Sequence, residues 1–109
     1  MTLLKAVVRP DKLDAVKAML DGIGVSGMTV TEVRGHGSQK GHTAIYRGQE
    51  YSVSLLPKIQ IEVVVSSDRA DEVAAAIVRA ARTGEIGDGR VFLTPVTHSY
   101  KIRTGEREA

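Results

Sequence analysis

Ile59-Gln60-Ile61-Glu62-Val63-Val64-Val65 alternates from end to end. Ile59, Ile61, Val63 and Val65 fall on one face, and Gln60, Glu62 and Val64 on the other, which is the period of a strand lying half-buried in a sheet. Ser66-Ser67-Asp68 follows, a polar run of the kind that opens a helix. Beyond it Ala70, Val73, Ala74, Ile77 and Ala81 recur at helical spacing, and Arg79 and Arg82 suit the helix's C-terminal dipole. Upstream, Gly35 to Lys58 carries glycines at one end and Pro57 at the other. It is far longer than the about 2–5 residues of a hairpin turn, and loops above about 12–15 residues are usually functional or disordered. It leads back to a second β-branched run, Met28 to Arg34. The alternating segment is thus a strand that follows another strand and precedes a helix.

The rest of the chain fits around that step. Leu3 to Arg9 is short, apolar and bounded by Pro10, and reads as a buried first strand. Pro10-Asp11 opens a helix with Leu13, Val16, Leu20 and Ile23 on one side, ended by Gly22 and Gly24. Val91-Phe92-Leu93 reads as a fourth strand, Val96 to Ile102 as a short extra one, and Arg103 to Ala109 as a polar tail. The order strand–helix–strand–strand–helix–strand predicts an α+β, ferredoxin-like βαββαβ sandwich: one antiparallel sheet with two helices on one face. The predicted unit is a single domain over 1–109. The face without helices keeps apolar side chains, so a closed homo-oligomer is expected to cover it.

Composition narrows the function. The chain has 109 residues, 42% hydrophobic and 26% charged, which describes a globular domain. It has no cysteine, which excludes disulfides and thiolate metal sites and suits a reducing cytoplasm. No signal peptide or membrane span is expected. A net charge of +2 leans weakly towards anionic partners, while 4% aromatics leaves few rings for stacking bases, so direct nucleic-acid binding is not expected. His36, His42 and His98 lack metal-ligand spacing. No Gly-x-Ser-x-Gly nucleophile motif occurs. A small phosphate-handling enzyme such as an acylphosphatase uses Arg with Asn, and this chain contains no Asn.

Two glycine loops carry the chemistry that remains. Thr83-Gly84-Glu85-Ile86-Gly87-Asp88-Gly89-Arg90 allows backbone N–H groups to turn towards an anion, with Arg90 adding charge. An ordinary helix-to-strand connection also favours glycine, so the loop alone leaves both readings open. Gly35-His36-Gly37-Ser38-Gln39-Lys40-Gly41 is no dinucleotide fingerprint, because it runs from a strand into a loop. Its alternatives are a flexible loop base or a set of donors around a polyanion. Lys101 and Arg103 lie two apart, on one face if extended, and could clamp phosphates or simply be solvated. Tyr46 and Tyr51 are either interface anchors or packed on their own loop.

Taken together the motifs resemble the PII nitrogen-signalling proteins, over almost the whole chain. Tyr46-Arg47-Gly48-Gln49-Glu50-Tyr51 resembles that family's T-loop signature, Thr83 to Phe92 its B-loop and Ile102-Arg103-Thr104-Gly105-Glu106 its C-terminal stretch. The resemblance implies a T-loop at about 37–56, a B-loop at about 82–90 and a C-terminal segment at about 96–109. It implies a cytoplasmic homotrimer, not an enzyme, with ATP or ADP in the clefts between subunits. Thr29, Glu62 and Val64 would then lie near the adenine. Gly35, Gly37 and Ser38 would approach ribose and phosphates, and Gly87, Asp88, Gly89 and Arg90 would cradle phosphates. Lys101 and Arg103 would reach in from the neighbouring subunit. Gln39 would help hold Mg²⁺ beside ATP, where 2-oxoglutarate chelates the metal, and Lys58 with Arg9 would pair with the 2-oxoglutarate carboxylate. Tyr51 occupies the position that a nucleotidylyltransferase modifies in relatives, and Arg47 the position that plugs an ammonium channel at the membrane. Enzymes or regulators of nitrogen metabolism are the other implied partners. Ser38 stands where the family usually has Arg, and Arg90 and Lys101 each replace one cation by another, which keeps charge but changes geometry.

Overall fold

The computed structural model describes residues 1–36, 43–46, 49–52 and 55–108. Strand β1 (Thr2–Val8) runs through a 3-10 turn at Pro10–Lys12 into helix α1 (Leu13–Gly22). Strand β2 (Thr29–Gly35), the hairpin β3 (Thr43–Tyr46) and β4 (Gln49–Ser52), and strand β5 (Leu56–Val65) follow. A second 3-10 turn leads into α2 (Ala70–Ala81), then β6 (Gly89–Pro95) and the ribbon β7 (Ser99–Tyr100) and β8 (Arg107–Glu108). The main sheet has the order β2-β5-β1-β6, antiparallel throughout. This is the ferredoxin-like α+β arrangement expected from the sequence.

The alternation sets the layers. Ile59, Ile61, Val63 and Val65 on β5 stand beside Val8, Ala6, Leu4 and Thr2 on β1, and their face meets the helices. Val16 and Leu20 of α1 and Val73 and Ile77 of α2 close that core, all at most 1% exposed. Burying a side chain of this size contributes about 1.5–3 kcal/mol, so this one layer supplies most of the driving force. The other face carries the row Thr29–Glu62–Lys5–Phe92 and, next to it, Thr31–Gln60–Val7–Arg90. Val64 and Phe92 remain about half exposed there (48% and 49%), apolar surface that a lone chain leaves in water.

Three local readings change. The stretch after β2 contains a hairpin, in which Thr43 faces Ser52 and Tyr46 faces Gln49. The polar tail contains β8, which pairs with β7. Ser66 caps the 3-10 turn without a side-chain bond to it, and Ser67 instead shares a 2.8 Å hydrogen bond with Thr2. The end of α1 is held by Arg69, whose Nη2 donates to the Ile23 carbonyl at 2.8 Å. Among the described residues no helix is long and apolar enough to cross a membrane.

Candidate functional site

At the Val8 end of β1 the loop between α2 and β6 folds over the end of the sheet. Its geometry is organised by one carboxylate. Asp88 Oδ2 accepts from the backbone N–H groups of Thr83 (2.9 Å) and Gly84 (2.8 Å). Its Oδ1 accepts from the Thr83 hydroxyl and from Arg9 Nε at 3.1 Å. These donors, the Thr83 hydroxyl foremost and then the Thr83 N–H, hold the Asp88 carboxyl well below the usual carboxylate range. Both oxygens are thus engaged by the loop and by Arg9. A phosphate passing near Asp88 would meet the groups it positions rather than a free acid.

Those groups face a groove. Arg9 also donates from Nη2 to the Ile86 carbonyl at 2.9 Å, and Lys58 Nζ donates to the Gly87 carbonyl at 2.6 Å. Lys58 is only 9% exposed. Burial first, and then the Arg9 charge, push its ammonium below the usual lysine range, partly offset by Asp88. A cation in that state gains more from an anionic ligand than a solvated lysine does. Gly84, Gly87 and Gly89 all adopt positive φ (91°, 101° and 103°). The open groove, about 580 Å³, is bordered by Gly35, His36, Lys58, Gly87, Arg90 and Phe92 among others, within the usual range for small-molecule sites of about 300–1,000 Å³.

The residues named from sequence fall into three groups. Arg9, Gly35, Lys58, Gly87, Asp88, Gly89 and Arg90 converge at this groove. Thr29, Glu62 and Val64 lie on the helix-free face, with Glu62 accepting from Gln60 Nε2 at 3.3 Å. The Glu62 row is one step along the sheet from the Arg90 row that borders the groove. Gly37, Ser38, Gln39 and Arg47 lie outside the described residues, while Tyr51 sits in β4 opposite Ala44.

Lys101 and Arg103 sit elsewhere. Val96 N–H donates to the Met1 carbonyl at 3.0 Å, and Ser99 Oγ lies 3.9 Å from Met1 Sδ. The ribbon is therefore anchored at the start of β1, about 25 Å from its loop end at about 3.4 Å per residue. Lys101 is two residues past Ser99, a span of at most about 7 Å. Arg103 is two residues further on, at most about 14 Å from Ser99, so both cations are based at the end of the sheet opposite the groove.

Thr83 was not singled out from sequence, although it supplies two of the Asp88 donors. Its signal is a Thr and an Asp bracketing a glycine turn, the usual chemistry of side-chain-closed turns. Among the described residues no group of three or more His, Cys, Asp or Glu side chains gathers to hold a metal.

Comparison with known proteins adds identity to this geometry. The family model for nitrogen regulatory protein P-II matches residues 1–106. The chain is 50% identical over 109 residues to "Nitrogen regulatory protein P-II" of Rhizobium etli, covering 100% of this chain and 97% of that one. It is 52% identical over 106 residues to the protein of the same description from Haemophilus influenzae, covering 97% and 95%. With that from Klebsiella oxytoca it shares 50% over 108 residues, covering 99% and 96%.

Proposed function

The chain belongs to the P-II nitrogen regulatory protein family, and from this premise we propose how it senses and signals. As a member it is a nitrogen signal-transduction regulator that works through partner proteins, and its relatives are named as regulators rather than enzymes. In our reading it assembles as a homotrimer and takes ATP or ADP in the clefts between subunits. MgATP then admits 2-oxoglutarate, and the T-loop reports the ligand to an ammonium channel or to enzymes and regulators of nitrogen metabolism. Channel docking would recruit it from the cytoplasm to the membrane, and nucleotidylylation of Tyr51 would add a second control.

The observation that carries this reading is the split of the cations. Lys58 and Arg90 border one groove, with Arg9 bonded to its Ile86 and Asp88, while Lys101 and Arg103 are based at the far end of the same sheet. A polyphosphate needs several cations and backbone donors together, and a second copy is the simplest source of the missing pair. The same copy would cover the half-exposed Val64 and Phe92 face.

The groove fits a nucleotide in size and donors. Arg90 and the glycine-rich backbone would hold its anionic groups, leaving Lys58 with Arg9 for the 2-oxoglutarate carboxylate. Mg²⁺ favours phosphate oxygens with one or two protein oxygens. Asp88 is fully engaged by its four donors; Gln39 is the protein ligand that the resemblance to the family implies. Bound there, the metal would supply charge neutralisation for the anionic ligands. The T-loop can report the ligands only as far as they prefer one of its states.

Calorimetric titration with ATP and ADP, then with 2-oxoglutarate in the presence of MgATP, tests the reading. Absence of binding by either nucleotide at millimolar concentration removes it. Lys58→Ala is expected to weaken 2-oxoglutarate roughly thirtyfold or more, the usual scale for removing one partner of a desolvated charge pair. ADP should change much less, and equal losses would contradict the role given to Lys58. Arg103→Ala should weaken ATP and ADP about tenfold, the scale of one charge-assisted hydrogen bond. Unchanged affinities, measured on the assembled protein, would count against a cleft shared between subunits.

A further inference from the structure

The C-terminal ribbon closes on itself through charge. Its backbone is fixed by Lys101 N–H to the Glu106 carbonyl (2.8 Å) and Gly105 N–H to the Lys101 carbonyl (2.7 Å). With Ser99 opposite Glu108 and Tyr100 opposite Arg107, Lys101 and Glu108 are diagonal neighbours on one face of the ribbon. Lys101 Nζ lies 3.2 Å from Glu108 Oε1, both side chains about half exposed (51% and 46%). A second cross-ribbon contact joins Arg107 Nη2 to His98 Nδ1 at 3.1 Å. Arg103 has no ion-pair partner among the described residues.

We infer that Glu108 is an affinity-setting residue: its carboxylate competes with ligand phosphate for Lys101, so the two cations offered by the ribbon are unequal. Among the described residues Arg103 has no carboxylate to give up for an incoming anion, whereas Lys101 must first exchange a carboxylate oxygen for a phosphate oxygen. The inference rests on the reading that Lys101 and Arg103 serve a nucleotide held by a neighbouring subunit. The lysine head is a compact point charge, so a carboxylate already beside it subtracts directly from what a phosphate can gain. The competition is modest because the pair is exposed and screened by salt. It lets the ribbon keep a defined shape with no ligand while lowering nucleotide affinity.

The test is ATP and ADP titration of the assembled wild-type protein and of Glu108→Gln, Lys101→Ala, the double variant, Arg103→Ala and, as a control for net charge, Asp71→Asn on α2. Glu108→Gln is expected to tighten both nucleotides about two- to fivefold at low salt, the scale of an exposed ion pair. The gain should shrink as salt rises, and should vanish in the Lys101→Ala background. Asp71→Asn should give no gain. The inference is overturned if Glu108→Gln leaves binding unchanged or weakens it, if the gain persists without Lys101, or if Asp71→Asn matches it. If Lys101→Ala and Arg103→Ala both bind as wild type does, the shared-cleft reading fails, and this inference with it. Loss with Lys101→Ala and no gain with Glu108→Gln removes the competition alone.

Discussion

Gly89→Ala should be the most damaging single substitution near the groove. Gly89 stands opposite Val8 where β6 joins β1. A Cβ added there would lie 1.7 Å from the Val7 carbonyl oxygen and 2.8 Å from the Val7 carbonyl carbon. Both are backbone atoms of the neighbouring strand, so no side chain can swing away. The residue also has φ +103°, a conformation that costs a non-glycine residue about 1–3 kcal/mol. Overpacking adds about 1–3 kcal/mol more. The expected loss of about 2–6 kcal/mol is a large share of the about 5–15 kcal/mol that holds an ordinary domain together. Urea denaturation gives the number, and Gly24→Ala separates the two causes. Gly24 has φ +80° with nothing within 4 Å of an added Cβ, so it should lose only about 1–2 kcal/mol. Equal losses at the two sites would mean that the Val7 contact is relieved by backbone movement.

Asp88→Asn should leave the chain folded while costing the groove its shape. Asp88 uses one oxygen for the two backbone donors and the other for Arg9 and the Thr83 hydroxyl. An amide keeps one acceptor oxygen and turns an NH₂ donor towards the remaining donors, so half of the set is lost in either orientation. Gly87 then no longer presents its carbonyl to Lys58 in a fixed place. We expect nucleotide affinity to fall about tenfold, the usual scale for removing a residue that orients binding groups. Thr83→Val, which keeps the backbone donor and loses the hydroxyl, should fall in between. Unchanged affinity in both variants would show that the loop keeps its form without the carboxylate. The same clasp sets an acid response. Because the folded-state carboxyl of Asp88 titrates below its unfolded value, its contribution is fully present above pH of about 4 and is lost as pH falls through the depressed range. Asp88→Asn should flatten that part of the stability profile, as read by thermal melts between neutral and strongly acid pH.

The ferredoxin-like order was legible because each of its steps is written in a short stretch. Ile59 to Val65 alternates, Val73 and Ile77 repeat at helical spacing, and neither signal needs a distant partner to be seen. The hairpin β3–β4 and the strand β8 escaped that reading. Thr43–Tyr46 and Arg107–Glu108 are short and carry little hydrophobic pattern, so their strand character comes from cross-strand hydrogen bonding. The glycine loop was visible as a candidate anion site, but spacing alone favoured its alternative as an ordinary helix-to-strand connection.

Sequence alone determined the layers of this protein, because burial follows from the period at which apolar side chains recur. The tertiary structure decided what each charge is doing. Asp88 faces its own loop, Lys58 is sunk against the Gly87 carbonyl, and Lys101 is paired with Glu108 at the far end of the sheet. The reason is physical: a charge is defined by its neighbours within a few ångströms, and a folded chain draws those neighbours from residues far apart along the sequence.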